Sequence, residues 1–180
     1  MKFREATSEI VRLLAREAWP VRGDPEDYDP LLDQIGDAAY VLIGEASHGT
    51  GAGCALVGFS TYDGTVTAAR DWHQPSERRH VRPARPESVE GLLHEVGEKA
   101  FTLTLRSGEG RHILYGSFLE RAIGVVYRPE TELMSHYLEA RPARQFDAIV
   151  HIDHTRAVEP LERSAVWETG EVPETYPTGV

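Results

Sequence analysis

A carboxylate and an imidazole that could activate water together stand three positions apart, at Glu45 and His48. If residues 45–48 form one turn, both side chains lie on the same face and can hydrogen-bond. A carboxylate that holds one imidazole nitrogen fixes the tautomer and leaves the other nitrogen basic near neutral pH. Such a pair is sufficient in principle for general-base activation of a water molecule. Glu-x-x-His by itself, however, is more often a structural or surface pair.

The same pair could instead supply two ligands of a metal ion. A catalytic zinc site needs three protein ligands and a water. The candidates for a further ligand have no diagnostic spacing: His73, His80, His151, Asp153 and His154. We therefore expect no cofactor and keep a divalent metal only as the alternative.

Other catalytic patterns are weak. Residues 49–53 are glycine-rich but lack the Lys-Ser/Thr ending and the following helix of a phosphate-binding loop. The chain has no Gly-x-Ser-x-Gly nucleophile elbow, so the serine beside His48 carries no catalytic prediction. Cys54, the single cysteine, is expected to be a small core residue.

The element that must position the pair is the apolar run Tyr40–Ile43. Its composition predicts a strand buried on both faces, which is typical of a parallel or mixed sheet flanked by helices. Gly44 ends the run, so Glu45 follows the carboxyl end of a strand, where open α/β sheets place their sites. Two helices are predicted upstream, an amphipathic one over residues 3–18 and one from Asp29 to Gly36.

The connection after this strand is unusual. Residues 55–60 predict a second strand, and only residues 44–54 separate the two. A parallel crossover normally needs a dozen or more residues, usually a helix. Either the two strands are antiparallel, or a segment that once filled the gap is absent.

The remaining pattern alternates strands with short helices. We predict a hairpin that turns at residues 62–64, a polar arginine-bearing loop or exposed hairpin over 70–87 and a helix from Ser88 to Val96. After these we expect a strand at 101–105, a loop at 107–110, a buried strand at 122–127, a short helix or loop at 130–140 and a last strand at 146–152. The tail from Pro160 is predicted to be an extended wrap pinned by Trp167 and Tyr176.

Composition predicts one α/β domain over residues 1–180, with helices, strand and loop in 1–50, the rest of the sheet in 51–160 and a tail in 161–180. The net charge of -10 argues against general nucleic-acid binding. The lone cysteine excludes an internal disulfide framework and suits a reducing cytoplasm. We find no signal peptide and no apolar run that could span a membrane, so a cytoplasmic protein without membrane partners is expected.

The sequence Val-Leu-Ile-Gly-Glu-Ala-Ser-His-Gly-Thr at residues 41–50 resembles the erythromycin esterase family. The lead-in at residues 27–37 is similar to that family as well. The resemblance continues through most of the chain, at residues 56–68, 121–131, 135–137, 145–153 and 155–161.

The resemblance implies an α/β sheet core and a hydrolase that opens cyclic esters, such as macrolide lactones, by attack of water. It implies that Glu45 and His48 belong to the active site, with His48 as candidate general base, and that metal dependence varies between members. Members of the family continue after this histidine into a helix with Glu and Arg site residues, a large helical region and a His-Asn-type motif with a second active-site histidine.

None of those later elements is recognisable here, and the chain contains no asparagine. The resemblance therefore implies a member whose middle is missing, with weak or no hydrolysis of lactones. The alternative is a non-catalytic binding or assembly module of the same fold. Because a lost helical layer exposes apolar sheet surface, we also expect a homo-oligomer.

Overall fold

A computed structural model describes residues 2–44, 53–159, 161 and 167. The helices within these residues are α1 (Lys2–Glu17), α2 (Asp29–Ile35), α3 (Val89–His94), α4 (Gly108–Leu114), α5 (Glu132–Ser135) and α6 (Pro142–Gln145). Single 3-10 turns precede α2 and α5, at Pro25–Tyr28 and Pro129–Thr131. The strands are β1 (Trp19–Pro20), β2 (Tyr40–Ile43), β3 (Cys54–Ala68), β4 (Glu77–Val81), β5 (Ala100–Thr104), β6 (Phe118–Arg121), β7 (Tyr137–Ala140) and β8 (Ala148–Thr155).

The main sheet mixes parallel and antiparallel pairs, as predicted. Its strand order is β1-β5-β8-β3-β2, and β4 also pairs with β3. Both β2 and β8 run parallel to β3, whereas β5 is antiparallel to β8 and β1 to β5. A separate antiparallel pair is formed by β6 and β7. The fold is thus an α/β sheet flanked by helices.

One face of the sheet forms the hydrophobic core. Phe101, Leu103 and Ile149 belong to the same buried cluster as Leu14 of α1 and Leu93 of α3. Each of these side chains is buried, and full burial of a large apolar side chain contributes about 1.5–3 kcal/mol. Helix α3 begins where predicted, because the Ser88 side chain accepts a hydrogen bond from the backbone of Gly91 and so caps it.

The long strand β3 corrects the predicted hairpin at residues 62–64. The strand continues to Ala68, and its second half pairs with β4. Gly64 is not a turn residue but a point of close approach. A Cβ at this position would lie 2.2 Å from the carbonyl oxygen of Thr155 in β8, and φ is +122°. Glycine is therefore required by the neighbouring backbone rather than by a change of chain direction.

Strand β2 forms where predicted, but its burial does not follow the prediction. It pairs in parallel with β3, so the antiparallel alternative is wrong. All four residues are exposed, with Tyr40 at 69% and Ile43 at 72%. The reason is position, since β2 ends the strand order of the described sheet, and a strand with one neighbour lacks the cover that a central strand has.

Three local predictions between β5 and β8 are also wrong. The segment 130–140, predicted to be a short helix or loop, ends in strand β7, because residues 137–140 pair with β6. Residues 108–114 form α4, where a loop is predicted at 107–110. Residues 122–127 form no strand, because their backbone hydrogen bonds go to two different segments. Ala122 donates to the carbonyl of His136, whereas Tyr127 donates to that of Ala69. A β-forming composition therefore gives no ladder here without a continuous partner strand.

The arginine-bearing segment over residues 70–87 is partly buried. It contains β4, in which Arg79 is completely buried and contacts Glu77 at 2.8 Å. Trp167 is also buried, and the Arg78 guanidinium lies 5.3 Å from its ring centroid. Tyr176 and the predicted path of the tail lie outside the described residues. None of the helices described here has both the length and the apolarity needed to cross a bilayer.

Candidate active site

The predicted pair, Glu45 and His48, lies outside the described residues, but the strand that leads to it is described. Gly44 follows β2 with φ at +115°, and its N–H donates to the carbonyl of Val57 in β3 at 3.0 Å. This bond holds the last residue before Glu45 against β3. The carboxyl end of β2 is thus fixed next to Val57 of β3.

A cavity of about 440 Å³ opens beside Gly44. Strand β2 pairs only with residues 54–57 of β3, so the next stretch of β3 has no partner from β2. Phe59, Ser60 and Thr61 from that stretch line the cavity, and residues 120–124 line it further. Its volume is within the range of small-molecule sites in proteins.

Arg121 fixes the wall of this cavity to β3. Its guanidinium donates to the carbonyls of Thr61 and Tyr62, each at 2.8 Å, and to Glu132 Oε1 at 2.9 Å. The Arg121 side chain is fully buried, and a buried charge of this kind is stable only when it is paired. The Tyr127 hydroxyl donates to the same Glu132 oxygen at 2.6 Å, and burial raises the pKa of Tyr127.

A row of polar side chains leads from the cavity into the core. A 2.9 Å hydrogen bond joins Ser60 Oγ to Nδ1 of His151, its partner in the β3–β8 register. Nε2 of His151 is buried, lies 3.5 Å from Asp153 Oδ1 and makes no hydrogen bond within the described part of the chain. Asp153 accepts a 2.6 Å hydrogen bond from Nδ1 of His94. The His94 ring stacks on that of Tyr62, with the two ring centroids 3.6 Å apart.

Burial determines the protonation of His151. Desolvation lowers the pKa of His151 to about 4, and the nearby Asp153 carboxylate only partly opposes this shift. The imidazole is therefore neutral at neutral pH. A proton on Nε2, facing Asp153, leaves Nδ1 to accept from the Ser60 hydroxyl. This geometry suits a fixed core partner of Ser60 better than a mobile general base.

The residues predicted as possible further metal ligands do not come together as one set, although His151 and Asp153 lie 3.5 Å apart. His73 and His80 are exposed, on the loop before β4 and on β4 itself, and the buried His151 lies in the core. His154 is exposed and contacts Asp63 at 2.5 Å. Over residues 2–44 and 53–159, no three His, Cys, Asp or Glu side chains are arranged to hold a metal ion.

The sequence prediction misses two polar side chains that line the cavity, Arg121 and Ser60. Arg121 lies 60 positions from Thr61 and 59 from Tyr62, whose carbonyls it contacts, and Ser60 lies 91 positions from His151. No local pattern indicates such pairs, because only the register of β3 against β8 and the packing of β6 bring them together. The sequence indicates His151 and Asp153 only as possible metal ligands.

Two proteins of known structure are similar to part of this chain. A succinoglycan biosynthesis protein is 22% identical, with a TM-score of 0.48, over 58% of this chain and 24% of its own. A Bacillus cereus protein is 17% identical, with a TM-score of 0.48, over 57% and 25% respectively. The chain thus spans about a quarter of the length of each.

The sequence model of the erythromycin esterase family matches residues 33–155. The match includes β2, residues 45–48 with the predicted pair, β3 and the whole of β8. It covers well over half of the chain. The chain therefore belongs to the erythromycin esterase family.

Proposed function

We propose that this chain is an erythromycin-esterase-like hydrolase that opens cyclic esters of the macrolide lactone type at a low rate, with Glu45 and His48 as its catalytic pair. The observation that carries the proposal is the cavity beside Gly44. Glu45 follows Gly44 directly in the sequence, so a substrate in this cavity would lie next to the predicted pair.

In the proposed reaction, Glu45 orients the His48 imidazole, and the free nitrogen of His48 takes a proton from water. The hydroxide adds to the ester carbonyl, and the C–O bond to the ring alcohol then breaks. The leaving alkoxide takes the proton back from His48, which restores the neutral imidazole. The scheme uses no metal, so a chelator should leave the rate unchanged.

The rate is expected to be low because the pair supplies only part of the catalysis. General-base help contributes about 10²–10⁴-fold. Most further acceleration comes from positioning the substrate and stabilising the oxyanion. The family elements that would provide both, the central helical region and the second histidine, are not recognisable in this sequence.

The test is hydrolysis of a macrocyclic lactone by the wild type and by His48→Ala and Glu45→Gln. The matched control is His112→Ala, an exposed histidine on α4 far from β2 in the sequence. Loss of His48 should lower the rate by about 10²-fold or more, to background. Equal rates for the wild type and His48→Ala would contradict the proposal and favour the non-catalytic alternative.

That alternative, an assembly module, has one observation in its favour. Large apolar side chains are exposed around β2, with Ile43 at 72%, Tyr40 at 69% and Phe59 at 52%. Exposed apolar groups of this kind are typical of surfaces that another subunit covers. Size-exclusion chromatography with light scattering should then show a dimer or larger species that Ile43→Asp dissociates. A monomeric wild type would exclude this alternative.

A further inference from the structure

A second cavity, of about 470 Å³, lies at the opposite end of the strands from Gly44. It is lined by Cys54, the first residue of β3, and by Asp147, just before β8. Both residues are at the amino ends of their strands, whereas Gly44 follows the carboxyl end of β2. Phe146 is the one described residue that lines both cavities, so the two are separate sites with different polar groups.

Three arginines from separate segments line this second cavity: Arg106 after β5, Arg111 in α4 and Arg144 in α6. Arg106 is held by Asp147 Oδ1 at 2.9 Å and by the carbonyl of Gln34 at 2.7 Å. Arg111 donates to the carbonyl of Arg106 at 2.9 Å. These contacts orient the side chains before any ligand arrives, which lowers the entropic cost of binding.

Arg144 is oriented in the same way by an aromatic ring. It donates to the Tyr115 hydroxyl at 2.9 Å, and its guanidinium lies 4.8 Å from the ring centroid. Arg144, and to a lesser extent Arg111 and Arg141, lower the pKa of the Tyr115 hydroxyl. The arginines therefore create a positive potential around the Tyr115 hydroxyl, which Arg144 links to the cavity lining.

The charge of the lining is not balanced. The three arginines face one carboxylate, Asp147, in a protein whose net charge is -10. Asp147 is already engaged by Arg106 and by the backbone N–H of Leu56. Arg111 and Arg144 each use one guanidinium nitrogen, Nη1 and Nη2 respectively, in the hydrogen bonds found among the described residues. Their remaining N–H groups are available to a ligand.

We propose that this cavity binds the phosphate group of a small anionic molecule. A phosphate monoester carries about two negative charges at neutral pH, which matches the excess of arginine over carboxylate in the lining. Planar guanidinium groups bind phosphate oxygens through paired N–H donors. Leu56, Leu105 and Phe146 also line the cavity and give an apolar surface for the organic part of the ligand.

Cys54 provides a built-in reporter for the test, because it lines the cavity and is the only cysteine in the chain. The probe is inorganic pyrophosphate, and the measurement is the rate at which neutral iodoacetamide alkylates the full chain, followed by intact mass. Pyrophosphate at about ten times its Kd should slow alkylation about tenfold. Arg111→Gln and Arg144→Gln, singly and together, should weaken or abolish this protection.

The matched control is Arg156→Gln, an exposed arginine just after β8, at the other end of that strand from Asp147, which should keep full protection. Circular dichroism checks that each variant is folded. Equal protection in the double variant, or by sodium chloride at the same ionic strength, would overturn the proposal. Equal protection by citrate would overturn the assignment to phosphate. The assay needs no hydrolysis, so its result is independent of the proposed lactone activity.

Discussion

Strands β2 and β8 both run parallel to β3, and both begin with short apolar runs in the sequence, yet they differ in burial. The first four residues of β8, Ala148 to His151, are all buried. All four residues of β2 are exposed. The difference lies in their neighbours, since β8 lies between β3 and β5 whereas β2 pairs only with β3 among the described strands.

An apolar run thus specifies a strand but not its place in the sheet. The core face of β8 is covered by α1 and α3 through Ile149 and its neighbours. The equally apolar β2 has no such layer of helices over it. Its side chains bury less apolar surface, so they contribute less to the free energy of folding than those of β8. The exposed β2 ends at Gly44, which lines the cavity. A residue beside a cavity must be reachable by a ligand, and dense packing around it would prevent this.

The largest expected effect is at β8. Ile149→Ala should lower the free energy of unfolding by about 2–5 kcal/mol, because it leaves a cavity in the core where Ile149 is only 3% exposed. Urea denaturation followed by circular dichroism measures the change. A loss below about 0.5 kcal/mol, the size of an ordinary surface substitution, would mean that β8 is not the packed centre of the sheet.

Acid should reveal the burial of His151 in the same strand. Its pKa is about 4 in the folded protein and about 6.5 when unfolded. Between these two pH values the unfolded state therefore binds more protons than the folded state. The contribution of His151 to the free energy of unfolding is complete above about pH 6.5 and is lost as the pH falls towards 4, by about 3 kcal/mol in total.

The measurement is urea denaturation at several pH values on the wild type and on His151→Gln. The variant should lose most of the slope between pH 6.5 and 4. The exposed His112 gives the control, since His112→Gln should keep the wild-type slope. An unchanged slope in His151→Gln would show that a group other than His151 is responsible.

The smallest effect is expected at β2, with the same chemical change as at β8. Ile43→Ala should change the free energy of unfolding by less than about 0.5 kcal/mol in dilute protein, because Ile43 is 72% exposed. Denaturation at several protein concentrations extends the comparison. A large loss that grows with concentration would show that Ile43 is buried between subunits.

Several elements follow from local pattern alone. The amphipathic spacing of α1, the Ser88 cap of α3 and the alternation of β5 all correspond to elements at the predicted places. The motif at residues 41–50 indicates the family without any knowledge of the fold. These features depend on residues close in sequence, so no distant partner is needed to interpret them.

Several of the failures depend on distant partners. Gly64 has the appearance of a turn residue until Thr155 is placed beside it. Residues 122–127 have strand composition but share their hydrogen bonds between two segments. The polar row through Ser60 and His151 exists only because β3 and β8 align these two positions.

The sequence by itself determined the family, the mixed α/β class and the strand that ends just before Glu45. The tertiary structure alone decided which apolar strand is buried, which arginines surround a cavity and which histidine loses its charge. The physical reason is range. Propensity, capping and periodicity act over a few residues, whereas burial, electrostatic potential and sheet register are set by groups that meet only when distant parts of the chain pack together.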